Sequence, residues 1–374
     1  MKTLNAIGLM SGTSFDGIDV ALIETDGDRL VRPRAAIARP YPDDARAALR
    51  HCLNATERSA ALDAVERTVT VAQCAAVEAL LEEAGVSAAA IDVVGFHGQT
   101  ITHVPPRDGK AGWTWQLGDG QTMADRLGIP TVFDFRAADM AGGGEGAPLA
   151  PVYHRALAAA WAEFPAAFLN IGGVSNLTYL AGAEAVPIGF DTGPGNAPID
   201  DLVAARLRLA MDAGGRIAAA GRVDPAALDR LMADPYFARP YPKSLDRNAF
   251  DLSPVEALGT EDAAATLVAF LVEGVARGAD LLPTHPARWF VTGGGRRNPA
   301  IMAALADRLG VPVEPVEATG ADGDVLEAEA FAYMAVRHLK GWPTSYPEMT
   351  GTAAPCVGGR LARPSAATVR AAQG

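Results

Sequence analysis

The apolar positions of the chain form short strand-like runs that alternate with glycine-rich loops and longer helical segments. Residues 6–10 and 18–24 are apolar runs on either side of the polar loop 11–17, which is the pattern of a β-hairpin. A similar pair of runs surrounds a Gly/Ser/Asn turn within residues 167–180. This weak internal repeat predicts two related α/β domains, with a boundary near residues 155–166.

Helical periodicity fills most of the chain between these runs. It predicts helices over residues 43–84, 121–127, 197–211, 263–282, 300–309 and 326–339. Further apolar runs predict strands over residues 91–96, 130–133 and 288–292. Strands that alternate with helices are typical of α/β proteins.

Composition limits the classes of partner. A chain of 374 residues suits two domains, with a cleft between them as the expected ligand site. The formal charge of −12 would repel a phosphate backbone, and no Lys/Arg run offsets it. Three cysteines without CxxC spacing fit a reducing compartment, and we find neither a signal peptide nor an apolar run of about 20 residues. We therefore expect a cytoplasmic protein that binds neither nucleic acid nor membranes.

The stretch GFDTGPGN, residues 189–196, is the strongest candidate for chemistry. Asp191 follows apolar residues, so we expect it at the C-terminal end of a strand. Gly193 and Gly195 would leave backbone N–H groups open to an anion or a sugar. The alternative is a strand-to-helix connection in which Asp191 and Asn196 cap a helix that begins near Ile199.

Three other polar clusters have both a functional and a structural interpretation. Backbone N–H groups and the Thr13 and Ser14 hydroxyls would hold phosphate, with Asp16 or Asp19 orienting magnesium; the alternative is a solvated hairpin tip. His97, His103, Gln99 and Thr100 follow a strand and would contact a ligand or lie in the core. Asp134, Arg136 and Asp139 flank the glycine loop 141–146, where a polar ligand or an internal ion pair would satisfy them. The polar, Pro-flanked residues 241–247 are predicted to be a solvated loop.

Seven motifs, taken in order, resemble the anhydro-N-acetylmuramic acid kinase family. They are GLMSGTSFDG (8–17), FHGQT (96–100), DFR (134–136), GAPL (146–149), NIGG (170–173), FDTGPGN (190–196) and TGGG (292–295). The resemblance implies a two-domain actin/hexokinase/Hsp70-like α/β fold, with a mixed β-sheet in each domain and an interdomain nucleotide cleft. We expect actin-like ATPase domains at residues 1–160 and 161–374, and leave open a return of the extreme C-terminal segment onto the first domain.

The same resemblance implies an activity. Family members are phosphotransferases that use ATP and Mg²⁺ to open 1,6-anhydro-N-acetylmuramic acid with water and phosphorylate O6. The product, N-acetylmuramic acid 6-phosphate, enters peptidoglycan recycling. It also implies a cytoplasmic homodimer. The alternatives are a simple sugar kinase of the same superfamily and a nucleotide-gated module without catalysis.

Residue roles are carried over from the matching motifs. By resemblance, Asp191 is the catalytic base, and no residue is assigned to the metal. The implied nucleotide contacts are Gly12, Thr13, Ser14, Phe15, Asp16, Gly17, Ile18, Asp19, Gly172, Gly173, Gly293, Gly294 and Gly295. The implied sugar contacts are His97, Gln99, Thr100, Arg136, Asn170, Gly193, Gly195, Asn196 and Glu327. Lys243, Ser244 and Arg247 resemble a Pro-Lys-Ser-Thr-Gly-Arg loop of the family, in which Leu245 and Asp246 replace Thr and Gly. The chain also has Ala137 and Ala138 where family members often have arginines. The cation that meets the lactyl carboxylate therefore stays open.

Overall fold

The computed structural model describes residues 2–12, 15, 17–106, 109–159, 161 and 163–366. Its strands are β1 (Leu4–Met10), β2 (Gly17–Thr25), β3 (Val31–Pro40), β4 (Val93–Phe96), β5 (Gln99–Val104), β6 (Trp113–Leu117), β7 (Thr131–Phe133), β8 (Ala166–Ile171), β9 (Val174–Leu180), β10 (Ile188–Pro194), β11 (Arg288–Thr292), β12 (Val313–Pro315) and β13 (Arg360–Ala362). Its helices are α1 (Asp43–His51), α2 (Ala60–Ala84), α3 (Gly120–Leu127), α4 (Ala137–Ala141), α5 (Pro151–Ala158), α6 (Ala197–Leu207), α7 (Arg216–Ala220), α8 (Pro225–Met232), α9 (Thr260–Asp280), α10 (Pro299–Leu309), α11 (Leu326–Leu339) and α12 (Pro347–Thr350).

The chain divides into two units. The first contains the described residues before Trp161 together with those from Val325 onward, and the second is Trp161–Asp324. The predicted bounds are 1–160 and 161–374, with a return of the extreme C-terminal segment onto the first domain left open; in the structure the chain returns to the first unit from Val325 onward. The physical reason is that α11 packs against β1, β2 and β4, and that β13 pairs with β7.

The first unit is built on a six-stranded sheet with the order β13-β7-β4-β1-β2-β3. Strand β1 runs antiparallel to β2 and parallel to β4, so the sheet is mixed. The predicted N-terminal hairpin is confirmed, because Ala6 pairs with Ile23 and Met10 pairs with Asp19. The separate β5–β6 hairpin presents residues 99–104, which follow β4 directly.

Close packing of α11 depends on two glycines of this sheet. A Cβ atom at Gly8 would lie 1.9 Å from the carbonyl oxygen of Ala328, and one at Gly95 would lie 2.1 Å from that of Phe331. Both distances are far inside van der Waals contact, so the helix rests on strand backbone and not on side chains. This contact fixes the start of α11, where Glu327 lies.

The second unit contains a five-stranded sheet with the order β10-β9-β8-β11-β12. Strands β8 and β9 form the second predicted hairpin, and β11 runs parallel to β8 and β12. Helix α9 packs on this sheet through buried residues such as Phe270, in a core that includes Phe190 and Trp289. The α/β class with a mixed sheet in each unit is therefore confirmed.

Several helix predictions are also tested by the structure. Helix α11 has the predicted bounds, and the segment 43–84 divides into α1 and α2. Helix α6 ends at Leu207 and not at Met211, with Arg208 in the left-handed conformation after it.

Among the described residues, every helix is too short or too polar to cross a bilayer.

Candidate functional site

The loop after β1 begins with Ser11 and Gly12, and both are anchored by Gln99 of β5. The Ser11 hydroxyl donates to Gln99 Oε1 at 2.6 Å, and Gln99 Nε2 donates to the Gly12 carbonyl at 3.0 Å. Gln99, predicted as a sugar contact, is fully buried and organises this loop. Thr13, Ser14 and Asp16, predicted to contact phosphate, lie outside the described residues.

The described remainder of the predicted phosphate-binding segment belongs to a strand and to the apolar core of the first unit. Gly17, Ile18 and Asp19 belong to β2 and not to the loop. The side chains of Phe15 and Ile18 are buried in the apolar core of the first unit. They can meet a nucleotide only through their backbone, because their side chains face away from solvent.

His97, which follows β4, and Arg136, which precedes α4, form a hydrogen-bonded array. Arg136 donates one guanidinium N–H to the Gly146 carbonyl at 2.8 Å, and another points at His97 Nε2 at 3.0 Å. Arginine only donates, so His97 Nε2 must accept, and Nδ1 carries the proton that it gives to the Gly98 carbonyl at 2.9 Å. Burial and then the charge of Arg136 lower the pKa of His97 well below its usual range. The imidazole is therefore neutral at physiological pH.

Glu327 joins this array from the first turn of α11. Burial raises the pKa of the Glu327 carboxyl, and the positive charge of Arg136 opposes that shift. His97 also packs on Phe331, one turn further along α11, with ring centroids 4.6 Å apart. The structure thus brings the predicted residues His97, Arg136 and Glu327 together. Thr100 is less central, because its hydroxyl accepts from Gln116 in the β5–β6 hairpin.

Asp139 supports this array through Gly146, a role that the sequence did not reveal. Its carboxylate is fully buried and accepts from the Gly146 N–H at 2.8 Å, Ser345 Oγ at 2.5 Å and Thr350 Oγ1 at 2.6 Å. Neutral donors therefore satisfy Asp139, in place of an internal ion pair. Gly146 in turn presents its carbonyl to Arg136. Ser345 and Thr350 are too distant in sequence for a local pattern to identify this network.

Asp191 lies within β10 of the second unit, not at the end of the strand as predicted. The β9–β10 pairing shifts register between Asp191 and Gly193, which is a β-bulge. The Asp191 N–H donates to the Lys243 carbonyl at 3.0 Å, and Asp191 Oδ2 accepts from the Leu245 N–H at 2.8 Å. The Tyr236 hydroxyl donates to the Asp191 carbonyl at 2.5 Å. Bulge and hydrogen bonds together fix the direction of this carboxylate.

The prediction of a solvated loop at residues 241–247 is wrong at its centre. Lys243 and Ser244 are 2% and 3% exposed. Lys243 Nζ donates to the Tyr236 carbonyl at 3.1 Å and lies 4.4 Å from the centre of the Tyr236 ring. The polar sequence gave the wrong prediction, because a buried lysine with hydrogen-bond and ring contacts has the same local sequence pattern as an exposed lysine.

Glycine turns meet at one edge of the second sheet. Asn170 at the end of β8 pairs with Thr292 at the end of β11, so Gly172-Gly173 and Gly293-Gly294-Gly295 follow neighbouring strand ends. Gly293 has a φ of 74°, and a Cβ atom there would lie 2.3 Å from Asn170 Oδ1. Gly294 is exposed with no atom close to the position of its missing Cβ. This edge presents bare main chain, which suits a flat or anionic ligand.

The Gly195 and Asn196 amides are already used, contrary to the prediction for this loop. The Gly195 N–H donates to the Gly173 carbonyl at 3.1 Å, and the Asn196 N–H donates to the Gly172 carbonyl at 2.7 Å. They tie the GFDTGPGN loop to the β8–β9 turn and are not free for an anion. Asn196 precedes α6 but makes no side-chain cap: its backbone already has helical angles, and its amide Nδ2 donates to Asp200 at 2.7 Å. Gly193 is buried beside Phe237.

Sequence comparisons with a family model and with relatives give the same family. A family model described as anhydro-N-acetylmuramic acid kinase matches residues 4–363. A relative of that name from Rhizorhabdus wittichii is 50% identical over 370 residues, which cover 97% of this chain and 100% of the relative. One from Rhodospirillum rubrum is 49% identical, covering 95% and 93%. Among solved structures, the activator of the 2-hydroxyisocaproyl-CoA dehydratase from Clostridium difficile with bound ADPNP covers 90% of this chain and 96% of its own, at 11% identity and a TM-score of 0.46.

Proposed function

Because the chain belongs to the anhydro-N-acetylmuramic acid kinase family, we propose that it uses ATP to convert 1,6-anhydro-N-acetylmuramic acid into N-acetylmuramic acid 6-phosphate. Water opens the anhydro bridge at C1, and O6 receives the γ-phosphoryl group. The observation that carries the proposal is the family match over residues 4–363, supported by relatives that match along their whole length. The reaction belongs to the recycling of peptidoglycan.

The array around Arg136 supports a sugar site in the first unit. The Arg136 guanidinium, held on the Gly146 carbonyl and on the neutral His97 ring, places charged N–H donors beside the half-buried Glu327 carboxyl group. Such a set matches a substrate that carries hydroxyls, an amide and one carboxylate. We assign the substrate carboxylate to Arg136, whose guanidinium is the permanent cation of this array.

Nucleotide contacts are proposed at the glycine-rich turns. The Gly12 loop and the Gly172-Gly173 turn would approach the phosphates, and Gly293-Gly294-Gly295 the adenosine, because unsubstituted backbone allows close contact. In the part of the chain that the structure describes, three or more His, Cys, Asp or Glu side chains never converge as a metal site. We propose that Mg²⁺ binds as its complex with ATP, where it shields the charge of the phosphates.

Asp191 is the proposed general base. Its carboxylate is oriented by the Leu245 N–H and by the bulge of β10, which is the pre-organisation that proton transfer requires. It would accept a proton from the water that attacks C1. The C1–O6 bond breaks as the C1–OH bond forms, and the released O6 forms the new bond to the γ-phosphorus while ADP leaves.

Product mass tests this function directly. The purified protein is incubated with MgATP and 1,6-anhydro-N-acetylmuramic acid, and the product is weighed by mass spectrometry. We expect the sugar to gain one phosphoryl group and one water. A gain of the phosphoryl group alone would favour the simple sugar kinase, and no ATP-dependent change of any sugar would contradict a kinase.

Arg136→Gln tests the sugar site. The substitution removes a charged donor while leaving a polar side chain in its place. We expect kcat/KM for the sugar to fall roughly 10- to 100-fold, the effect of losing a hydrogen bond to a charged group. The change should appear as a higher KM for the sugar and not for ATP. Arg126→Gln, which breaks an ion pair with Glu78 at the surface, is the matched control. Equal losses in the two variants would remove Arg136 from substrate binding.

Location and assembly complete the proposal. Cys52, Cys74 and Cys356 are free thiols, which supports a reducing cytoplasmic location. We also propose a homodimer, and light scattering of the purified protein would give its mass directly.

A further inference from the structure

The segment that follows Pro242 encloses Asp191 from two sides. The Lys243 carbonyl accepts from the Asp191 N–H at 3.0 Å, and the Leu245 N–H donates to Asp191 Oδ2 at 2.8 Å. Tyr236 completes the connection, since its hydroxyl donates to the Asp191 carbonyl and its own carbonyl accepts from Lys243 Nζ. The main chain of Lys243 therefore binds Asp191 directly, and its side chain binds Tyr236, which is itself hydrogen-bonded to Asp191.

The position of the Lys243 ammonium is costly in itself. It is 2% exposed, and burial followed by the charge of Arg239 lowers the pKa of Lys243 to about 8, while Asp191 opposes this shift. The Tyr236 carbonyl and the rings of Tyr236 and Phe190, at 4.4 and 5.7 Å, compensate part of the lost hydration. A methionine would fill similar space without this cost, so the charge itself points to a function.

We propose that Lys243 is a positioning residue for Asp191. Its ammonium holds the segment 243–245 on Tyr236, so that the Leu245 N–H faces the Asp191 carboxylate, and its charge favours the ionised form of that carboxylate. The attraction is reciprocal: a carboxylate that stabilises the ammonium is stabilised by it to the same extent. The inference rests on the proposed role of Asp191 as the base.

Lys243→Met tests this coupling, with Lys110→Met at an exposed site as the control for net charge. We expect the acidic limb of the kcat–pH profile to move to higher pH by about one unit. Lys243→Arg should keep the limb near its wild-type position. An unchanged acidic limb in Lys243→Met overturns the proposal, since a purely structural residue would lower stability without moving it.

A direct titration separates this proposal from the general-base assignment. The pKa of the Asp191 carboxyl is measured by ¹³C NMR, with Asp191→Asn to identify its signal. We expect this pKa to be higher in Lys243→Met than in the wild type. If the pKa of Asp191 rises in Lys243→Met but Asp191→Asn keeps full activity, the coupling is supported and the assignment of Asp191 as general base is refuted. Equal values in the two proteins would overturn the coupling, whatever the turnover.

The wild type provides a test that does not depend on the folding of a variant. The Lys243 ammonium loses its charge as the pH rises through about 8. The ¹³C shift of Asp191 should therefore show a second inflection near that pH. Because the pKa of Lys243 in the folded protein lies below the ordinary lysine value of 10.5, the stability cost of the charge is complete below pH 8 and disappears between pH 8 and 10.5. A flat Asp191 signal through this range overturns the proposal.

Discussion

Asp191→Asn is expected to retain both ligands and the fold but to lose roughly 10²–10⁴-fold in kcat. An amide of the same size preserves the contact with the Leu245 N–H through its oxygen, yet it cannot accept the proton of the attacking water. Binding of ATP and sugar should change little, because the carboxylate acts on water. Steady-state kinetics give kcat, and calorimetry gives the two affinities.

The matched control for this substitution is Asp201→Asn. Asp201 is an exposed carboxylate of the same unit, on α6, and pairs with Arg247. Asp201→Asn should keep turnover within about two-fold of the wild type, since a surface ion pair contributes little. Near-normal turnover of Asp191→Asn would exclude Asp191 as the base.

Isotope labelling follows the attacking water in the wild-type reaction. In ¹⁸O-labelled water the label should reach the anomeric oxygen of the product, with inversion at C1, and not the phosphate.

Gly8→Ala is expected to destabilise the protein by about 3 kcal/mol or more, or to prevent its folding. The new methyl group would lie 1.9 Å from the Ala328 carbonyl oxygen and 2.4 Å from the Ala332 nitrogen. Both atoms are helix backbone, so no side-chain rotation relieves the overlap and α11 must move. Chemical denaturation gives the free energy of unfolding, and circular dichroism shows whether the variant folds.

Gly182→Ala is the control for the loss of glycine alone. It lies in the second unit with open space where the new methyl group would be. Its free energy of unfolding should stay within about 0.5 kcal/mol of the wild type. If Gly8→Ala were as stable as this control, the helix would not depend on backbone contact with β1. In any Gly8→Ala protein that folds, sugar binding should weaken, because Glu327 moves with the helix.

Sequence patterns predicted the elements that depend on local chemistry. Both hairpins and helix α11 were accessible, because hydrophobic periodicity contains that information. The resemblance placed His97, Arg136 and Glu327 at one site, which no local pattern would have joined, and the structure brings their side chains together.

The surroundings of buried polar residues could not be predicted from the sequence, because they depend on contacts between distant segments. Asp139 receives its hydrogen bonds from Ser345 and Thr350, and the burial of Lys243 depends on Tyr236 and Phe190. A polar residue in a loop looks the same in sequence whether water or protein surrounds it. The hydrogen bonds of the Gly195 and Asn196 N–H groups could not be predicted for the same reason. Glycine content indicates that the backbone is accessible, but not whether its N–H groups already have partners.

The packing of α11 on Gly8 and Gly95 has a consequence for the order in which the chain is made. A ribosome that has completed β4 must add about 230 more residues before α11 begins at Leu326. At 5–20 residues per second this takes roughly 10–50 s, during which Trp161–Asp324 is completed and its own core can form. Throughout that interval the helix-facing side of the first sheet has no cover. A nascent chain arrested before Leu326 is therefore the form of this protein most in need of a chaperone.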